Sequence, residues 1–266
     1  MRIVPEGQGR PATSLLGSRY EIDIFLGYHG RMARKPSLDP WRVRDQIAIA
    51  AAKMIAEDGL DFASAKRKAA RQVIGDTRIA GEWLPDNELV EAEVREYQSL
   101  FQSDSQPTIL RGLRRIALHW MERLRPFNPY LTGAVLNGTA GAHSDIQLQL
   151  FSDAGKDVTI FLLNAGIDFE VSETRHFAGR ADVETLSFIV RGDVDVDMAG
   201  IHLGLYSETD LRGALRADAR GRAPRAGVRA VQALIDTTEA ATDVASDGAS
   251  SSDDEADPRD TGTFGP

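Results

Sequence analysis

Cysteine is absent from the 266 residues of this chain, so disulfides and thiolate metal sites are excluded. No apolar run approaches the roughly 20 residues that span a bilayer. The polar, Gly- and Pro-rich stretch from Met1 to Pro11 lacks the apolar segment of a signal peptide. A phosphate loop of the form Gly-x-x-x-x-Gly-Lys-[Ser/Thr] is also missing. These absences predict a cytoplasmic protein without membrane association.

The net negative charge of the chain is concentrated at its C-terminal end. The formal net charge is −9, and residues 236–266 contain nine acidic residues against one base, Arg259, so −8 of it lies there. Residues 1–235 are therefore close to neutral, at −1. Because Ser, Asp and Gly dominate the final residues, the composition predicts a disordered acidic tail over 238–266.

Residues 39–106 have the periodicity of a helical region, and residues 1–38, with little such pattern, are predicted to be loosely ordered. Gly59 is a stop signal after the first helix. Each of four helices has a start signal, either a capping carboxylate or a proline in the first turn. These signals are Asp39-Pro40, Asp61, Pro85-Asp86 and Pro107.

Residues 107–237 combine helix and strand patterns. A crossover helix is predicted over 156–165, and helical propensity returns after Leu205 as far as about Thr237. Strands are predicted at 147–150, 167–171, 185–190 and 194–201. The predicted fold class is α+β: an N-terminal helical region, then a mixed-sheet core.

The most informative stretch runs from Gly133 to Phe151. It contains a turn at Gly133-Ala134, a second turn at Asn137-Gly138-Thr139-Ala140, and the strand start Ser144-Asp145-Ile146-Gln147-Leu148. Side chains two residues apart on a strand share a face, so Asp145 and Gln147 are predicted to point the same way.

This stretch resembles the motif of the nucleotidyltransferase superfamily, which has the polymerase-beta-like fold. The family pattern is Gly-Ser, then Arg-Gly-Thr-Ala, then Ser-Asp-Ile-Asp-Leu, and the spacing of these segments here fits without a gap. The resemblance covers roughly residues 107–200. The chain also resembles a divergent bacterial group with the same helical front, some of which carry muramate–alanine ligase labels. The missing phosphate loop argues against that label.

The resemblance implies a nucleoside triphosphate ligand and Mg²⁺ as cofactor. Catalytic roles would fall to Asp145 and Glu170, with Asp168 as the other source of a third acid. The implied metal ligands are Asp145, Gln147 and Asp168. The implied nucleotide-binding residues are Gly133, Ala134, Gly138, Thr139 and Ser144.

Two residues depart from the family pattern. Gln147 replaces a carboxylate with an amide, and Ala134 lacks the expected hydroxyl. Mg²⁺ prefers hard anionic oxygen ligands, so these residues predict nucleotide binding with weak or lost transfer. A missing acid would be restored by Asp193, Asp195 and Asp197 if their strand lies beside Asp145; otherwise that strand is a solvent-facing one.

Three alternatives remain open at this point. The Arg-rich outer face predicted for the fourth helix, which includes Arg111, Arg114 and Arg115, would bind a triphosphate or pair with acids such as Glu93. A regulatory protein on the same fold would use its helical front on a protein partner. Residues 41–75 also have a helix-turn-helix pattern, which would indicate DNA binding. Because this pattern is weak, nucleic acid is a less favoured partner than a nucleotide or a protein.

Overall fold

The computed structural model describes residues 39–75, 81–192, 194–217 and 221–249. Within these residues it contains eight α-helices and one five-stranded mixed sheet. The fold is therefore mixed α/β, with the helical region first. The segment 1–38 and the end of the predicted acidic tail lie outside the described residues.

The elements alternate in type only after the fourth helix. None of the described helices is both long and apolar enough to cross a membrane. The helices are α1 (Pro40–Asp58), α2 (Phe62–Ile74), α3 (Asn87–Phe101), α4 (Gln106–Arg123), α5 (Gly133–Asn137), α6 (Gly155–Asn164), α7 (Leu211–Ala214) and α8 (Val228–Ala249). The strands are β1 (Pro129–Thr132), β2 (Ile146–Phe151), β3 (Glu170–Thr174), β4 (Val183–Arg191) and β5 (Met198–Tyr206).

The predicted helix starts in the front are confirmed by their capping hydrogen bonds. Asp39 accepts from the Trp41 amide at 3.2 Å, and Asp61 accepts from the Ser64 amide at 3.0 Å. Asp86 accepts from the amide of Leu89 at 2.8 Å. Each such cap contributes about 1 kcal/mol because it satisfies an amide that the helix leaves unpaired.

Helices α1, α2 and α3 enclose a core of their own. It consists mainly of small side chains, which allow the three helices to approach closely. Its fully buried members include Val43, Ile47, Ala51, Ala65, Ala69, Val90 and Val94.

The second core lies on one face of the sheet. The strand order is β1-β2-β5-β4-β3, and β2 and β5 are parallel while the other neighbours are antiparallel. Alternate residues of the central strands, including Leu148 and Leu203, pack against α4, α6 and α8. The opposite face of the sheet carries polar side chains and is open.

Three elements have a boundary that differs from the sequence prediction by three residues or more. Strand β3 begins at Glu170, because Ile167 and Phe169 pack against the core before the strand starts. Strand β5 covers Met198–Tyr206 rather than 194–201; residues 194–197 form the connection to β4. Helix α8 extends to Ala249, past the boundary at 237, because alanine favours helix even between acidic residues.

Leu148→Ala is expected to destabilise the protein by about 3 kcal/mol, because it leaves a cavity in the sheet core. Leu148 is 1% exposed, whereas Leu163 of α6 is 62% exposed. The matched control Leu163→Ala should change stability by less than about 0.5 kcal/mol. Urea unfolding monitored by circular dichroism measures both, and equal losses would contradict the assignment of the core face.

Candidate functional site

A row of polar residues crosses the open face of the sheet. The register pairs Thr132 with Gln147, Gln147 with His202, His202 with Ser187, and Ser187 with Glu170. Directly opposed residues on neighbouring strands point to the same face. One row of side chains thus contains an amide, an imidazole, a hydroxyl and a carboxylate next to one another.

Asp145 stands immediately before β2, above this row. Its Oδ2 lies 3.1 Å from Nε2 of His202. The hydrogen bond from His202 lowers the pKa of the Asp145 carboxyl; partial burial opposes this, and the Gly200 amide, as a second donor, adds to it. Asp145 is therefore ionised at neutral pH and acts only as an acceptor.

The hydrogen bonds of His202 continue to Ser187. The Nδ1 atom of His202 is 2.8 Å from Oγ of Ser187. Because Nε2 must donate to the Asp145 carboxylate, the neutral imidazole has its acceptor at Nδ1, and the Ser187 hydroxyl donates to it. Asp145, His202 and Ser187 thus form one directional chain of hydrogen bonds.

Gly200 allows Asp145 to occupy this position. A Cβ at residue 200 would overlap Oδ1 of Asp145. Gly200 lies in β5 directly beside Ile189 of β4, and the Asp145 side chain occupies the space that a side chain at residue 200 would need. This glycine explains how the carboxylate reaches both the Gly200 amide and His202.

Two neighbouring cavities cover the polar row. The larger has a volume of about 820 Å³, and its lining includes Asp145, Asp168, Glu170, Ser187 and His202. The smaller, of about 450 Å³, shares Ser187 and His202 with it. Three of the residues predicted for the site, Asp145, Asp168 and Glu170, thus line one cavity.

The cavity does not bring these three carboxylates together. Glu170 lies in β3, and β5 and β4 separate it from β2. At about 4.8 Å per strand, Glu170 is about 14 Å from Gln147 along the row. Asp168, predicted as a metal ligand, precedes β3 on the same far side. The strand beside β2 is β5, which places Gly200 next to Asp145 and His202 next to Gln147.

The available donors do not fit a two-Mg²⁺ clamp. Beside Asp145 stand the Gln147 amide and the His202 imidazole, and Mg²⁺ favours anionic and water oxygens over such ligands. Within the described ranges, no group of three or more His, Asp or Glu side chains is arranged to hold a metal ion.

Asp195 does not restore the missing acid. It lies in the β4–β5 connection, and its Oδ2 is 3.6 Å from Arg115 of α4 and 4.0 Å from Arg111. Arg115 also pairs with Glu239 of α8 at 2.6 Å. The outer Arg face of α4 thus connects α4 to the sheet and to α8. Asp193 lies outside the described residues.

The predicted nucleotide-binding residues divide between two places. Gly133 has φ +74° and begins α5, and a Cβ there would meet the Gln147 side chain at 3.5 Å, so Gly133 lies beside the open face, whereas Ala134 packs against the sheet core. Ser144 closes a turn, its Oγ accepting from the Gly141 amide at 3.0 Å. Thr139 is only 1% exposed, which removes it from contact with a ligand.

The turn around Gly138 and Thr139 is a structural connection to the helical front. Its carbonyl oxygens accept hydrogen bonds from side chains of α3 and α4, of which Arg95 is exposed and the others are buried or half-buried. Arg114, predicted on the outer face of α4, is buried here, and burial lowers the pKa of its guanidinium. The pairs are Arg114 to Val135 (3.2 Å) and Leu136 (3.4 Å), Arg95 to Asn137 (2.7 Å), Gln106 to Gly138 and Ala140 (both 3.0 Å), and Gln98 to Thr139 (2.8 Å).

The DNA-binding alternative receives little support from the helical front. Of the segment between α2 and α3, residues 76–80 lie outside the described residues, and the described part contains a 3-10 helix of three residues, Gly81–Trp83, which is too short to read a groove. The basic residue Lys66 of α2 donates to Asn87 at 2.7 Å and to the Pro85 carbonyl at 3.2 Å. Its ammonium group therefore helps to join α2 to α3.

Sequence reasoning missed His202 and Ser187. The alternation of Ile201, Leu203 and Leu205 with His202 indicates that the histidine leaves the core face. The local sequence pattern does not predict the strand order that places β5 beside β2.

Comparison of the chain with protein-family models, curated proteins and solved structures finds no significant match. The resemblance to nucleotidyltransferases therefore depends on the motif residues.

His202→Ala is expected to raise the pKa of Asp145 toward its ordinary value of 3.8, because the main hydrogen bond to the carboxylate is lost. The folded-state pKa of Asp145 is below the unfolded one. The contribution of the ionised carboxyl to the free energy of unfolding is therefore fully present above the unfolded pKa. It is lost as the pH falls through the folded pKa. Carboxyl titration by NMR measures the shift. The matched control His143→Ala, at an exposed histidine, should leave the pKa of Asp145 unchanged.

Gly200→Ala is expected to displace the Asp145 side chain, break its contact with His202 and raise the pKa of Asp145. The control Gly213→Ala adds a methyl group where nothing lies within 4 Å. The same NMR titration distinguishes the two variants. An unchanged pKa in Gly200→Ala would show that the carboxylate does not lie against this glycine.

Proposed function

We propose that the protein is nucleotidyltransferase-like and binds a nucleoside triphosphate on the open face of the sheet beside Asp145, with nucleotidyl transfer weak or lost. The observation that carries this proposal is the placement of Asp145, Gln147 and His202. They lie together on the open face, where a two-metal enzyme of this kind would need three carboxylates.

Binding is supported by the local architecture. Strands β1 and β2 are antiparallel and are joined through the turn at Gly133, so the Gly-Ala segment and Asp145 lie at the same end of the sheet. Arg175 lines the smaller cavity, and its guanidinium supplies positive charge for a phosphate. The combined cavities have room for a small organic ligand.

Weak transfer is supported by the chemistry of the donors. The Asp145 carboxylate already accepts from His202 and from the Gly200 amide. A metal ion would have to compete with these donors, and Gln147 adds no negative charge. Two-metal phosphoryl transfer requires a clamp on both the attacking and the leaving oxygens, which this donor set does not provide.

A non-catalytic interaction protein on the same fold is the second candidate. Trp41, at the first turn of α1, is 71% exposed, and an exposed aromatic residue of this kind is typical of contact surfaces. This candidate predicts a retained protein complex and no nucleotide binding.

Calorimetric titration with nucleoside triphosphates and Mn²⁺ tests the proposal. In the presence of Mn²⁺ the wild type is expected to bind nucleotide, and Asp145→Ala should weaken this binding at least about tenfold, equivalent to about 1.4 kcal/mol, because it removes the carboxylate that would hold a cation beside the triphosphate. Gln147→Asp should raise Mn²⁺ affinity, because it restores a second carboxylate on the face. Asp182→Asn, at an exposed aspartate away from the cavities, is the matched control. If no variant binds nucleotide and Gln147→Asp gains no Mn²⁺ affinity, the proposed site is wrong.

A further inference from the structure

We propose that Ser187 is a nucleophilic serine that reacts at electrophilic phosphorus, with His202 as its general base and Asp145 as the group that orients the imidazole. This reactivity needs no metal ion and goes beyond the proposed nucleotide binding. Two distances carry it: 2.8 Å from Ser187 Oγ to His202 Nδ1, and 3.1 Å from His202 Nε2 to Asp145 Oδ2.

The order of groups matches the general requirement for an activated hydroxyl. A serine is a weak nucleophile until an adjacent base accepts its proton, and that base needs a third group to fix its tautomer. Here the Asp145 carboxylate fixes Nε2 as the donor, which leaves Nδ1 free to accept the serine proton. The two ring nitrogens thus have distinct and suitable roles.

The surroundings allow a substrate to reach Ser187. Ser187 and His202 are half-buried at the floor of the 820 Å³ cavity, so neither is sealed in the core. The apolar side chains of Ile189 and Met198 are 68% and 60% exposed and line the same cavity. The Asp145 carboxylate lies over Gly200, next to these two side chains. This arrangement suits a phosphate or phosphonate ester that carries an apolar group.

The reaction is a single displacement at phosphorus. The Ser187 Oγ–P bond forms and the bond from phosphorus to the leaving oxygen breaks. The serine proton passes to Nδ1 of His202 and from there to the leaving alcohol. Arg175, on the same open face, is available to stabilise the charge that develops on the phosphoryl oxygen.

Glu170 acts against this reaction. It lies directly across from Ser187 in β3, and its carboxylate repels the developing negative charge. Glu170→Gln is therefore expected to increase the rate of modification at Ser187 several-fold. This assigns Glu170 a role opposite to the catalytic one that the family resemblance implies.

The test is covalent labelling of the full chain by an alkyl fluorophosphonate, which replaces the leaving oxygen with fluoride. Intact mass and peptide mapping are expected to show one adduct, on Ser187. His202→Gln should slow labelling about 100-fold or more, the contribution of a general base. Ser172→Ala, a serine in β3 on the same face, is the matched control and should be labelled at the wild-type rate.

Absence of an adduct on Ser187 in the folded wild type would overturn the proposal, and so would equal labelling rates in the wild type and in folded His202→Gln. The wild-type measurement needs no variant, so a folding defect does not affect it. Because the probe contains no nucleotide, its result is separate from nucleotide binding. Labelling without nucleotide binding would support the nucleophile and contradict only the proposed function, whereas binding without labelling would do the reverse.

Discussion

The parallel pairing of β2 with β5 is the constraint on which the site depends. It places Gly200 beside Asp145 and His202 beside Gln147. Parallel strands require a long crossover, which here contains α6, β3 and β4. Without this pairing, Asp145 would have neither its imidazole partner nor the backbone amide that accompanies it, and the open face would have no organised centre.

Two parts of the motif that are close in sequence lie in different places in the fold. Gly133 and Asp145 lie at the open face, whereas the carbonyl oxygens of Gly138 and Thr139 accept from Gln106 of α4 and Gln98 of α3. Backbone carbonyls that accept from these side chains are satisfied within the protein. The helical front therefore fixes the position of the motif, and the open face carries its exposed chemistry.

Local signals were sufficient to predict much of the fold and less of the site. Capping residues such as Asp39 and Asp61 act within one helical turn, so their helices could be located from sequence. Asp145 could be found from its spacing to the glycines. Its partner could not, because His202 is 57 residues away and reaches it only through the strand order. The prediction of Asp168 or Glu170 as the third acid assumed that their strand, β3, lies beside β2. The strand beside β2 is β5.

The central claim is that a ligand binds on the open face and not at the Gly138–Thr139 turn. NMR chemical-shift mapping of the full chain during titration with a nucleoside triphosphate tests it most directly. The account predicts shifts at Asp145, Gln147 and His202, with the amides of Gly138 and Thr139 unchanged. Shifts centred on Gly138 and Thr139, or no shifts on the open face at saturating ligand, would contradict it.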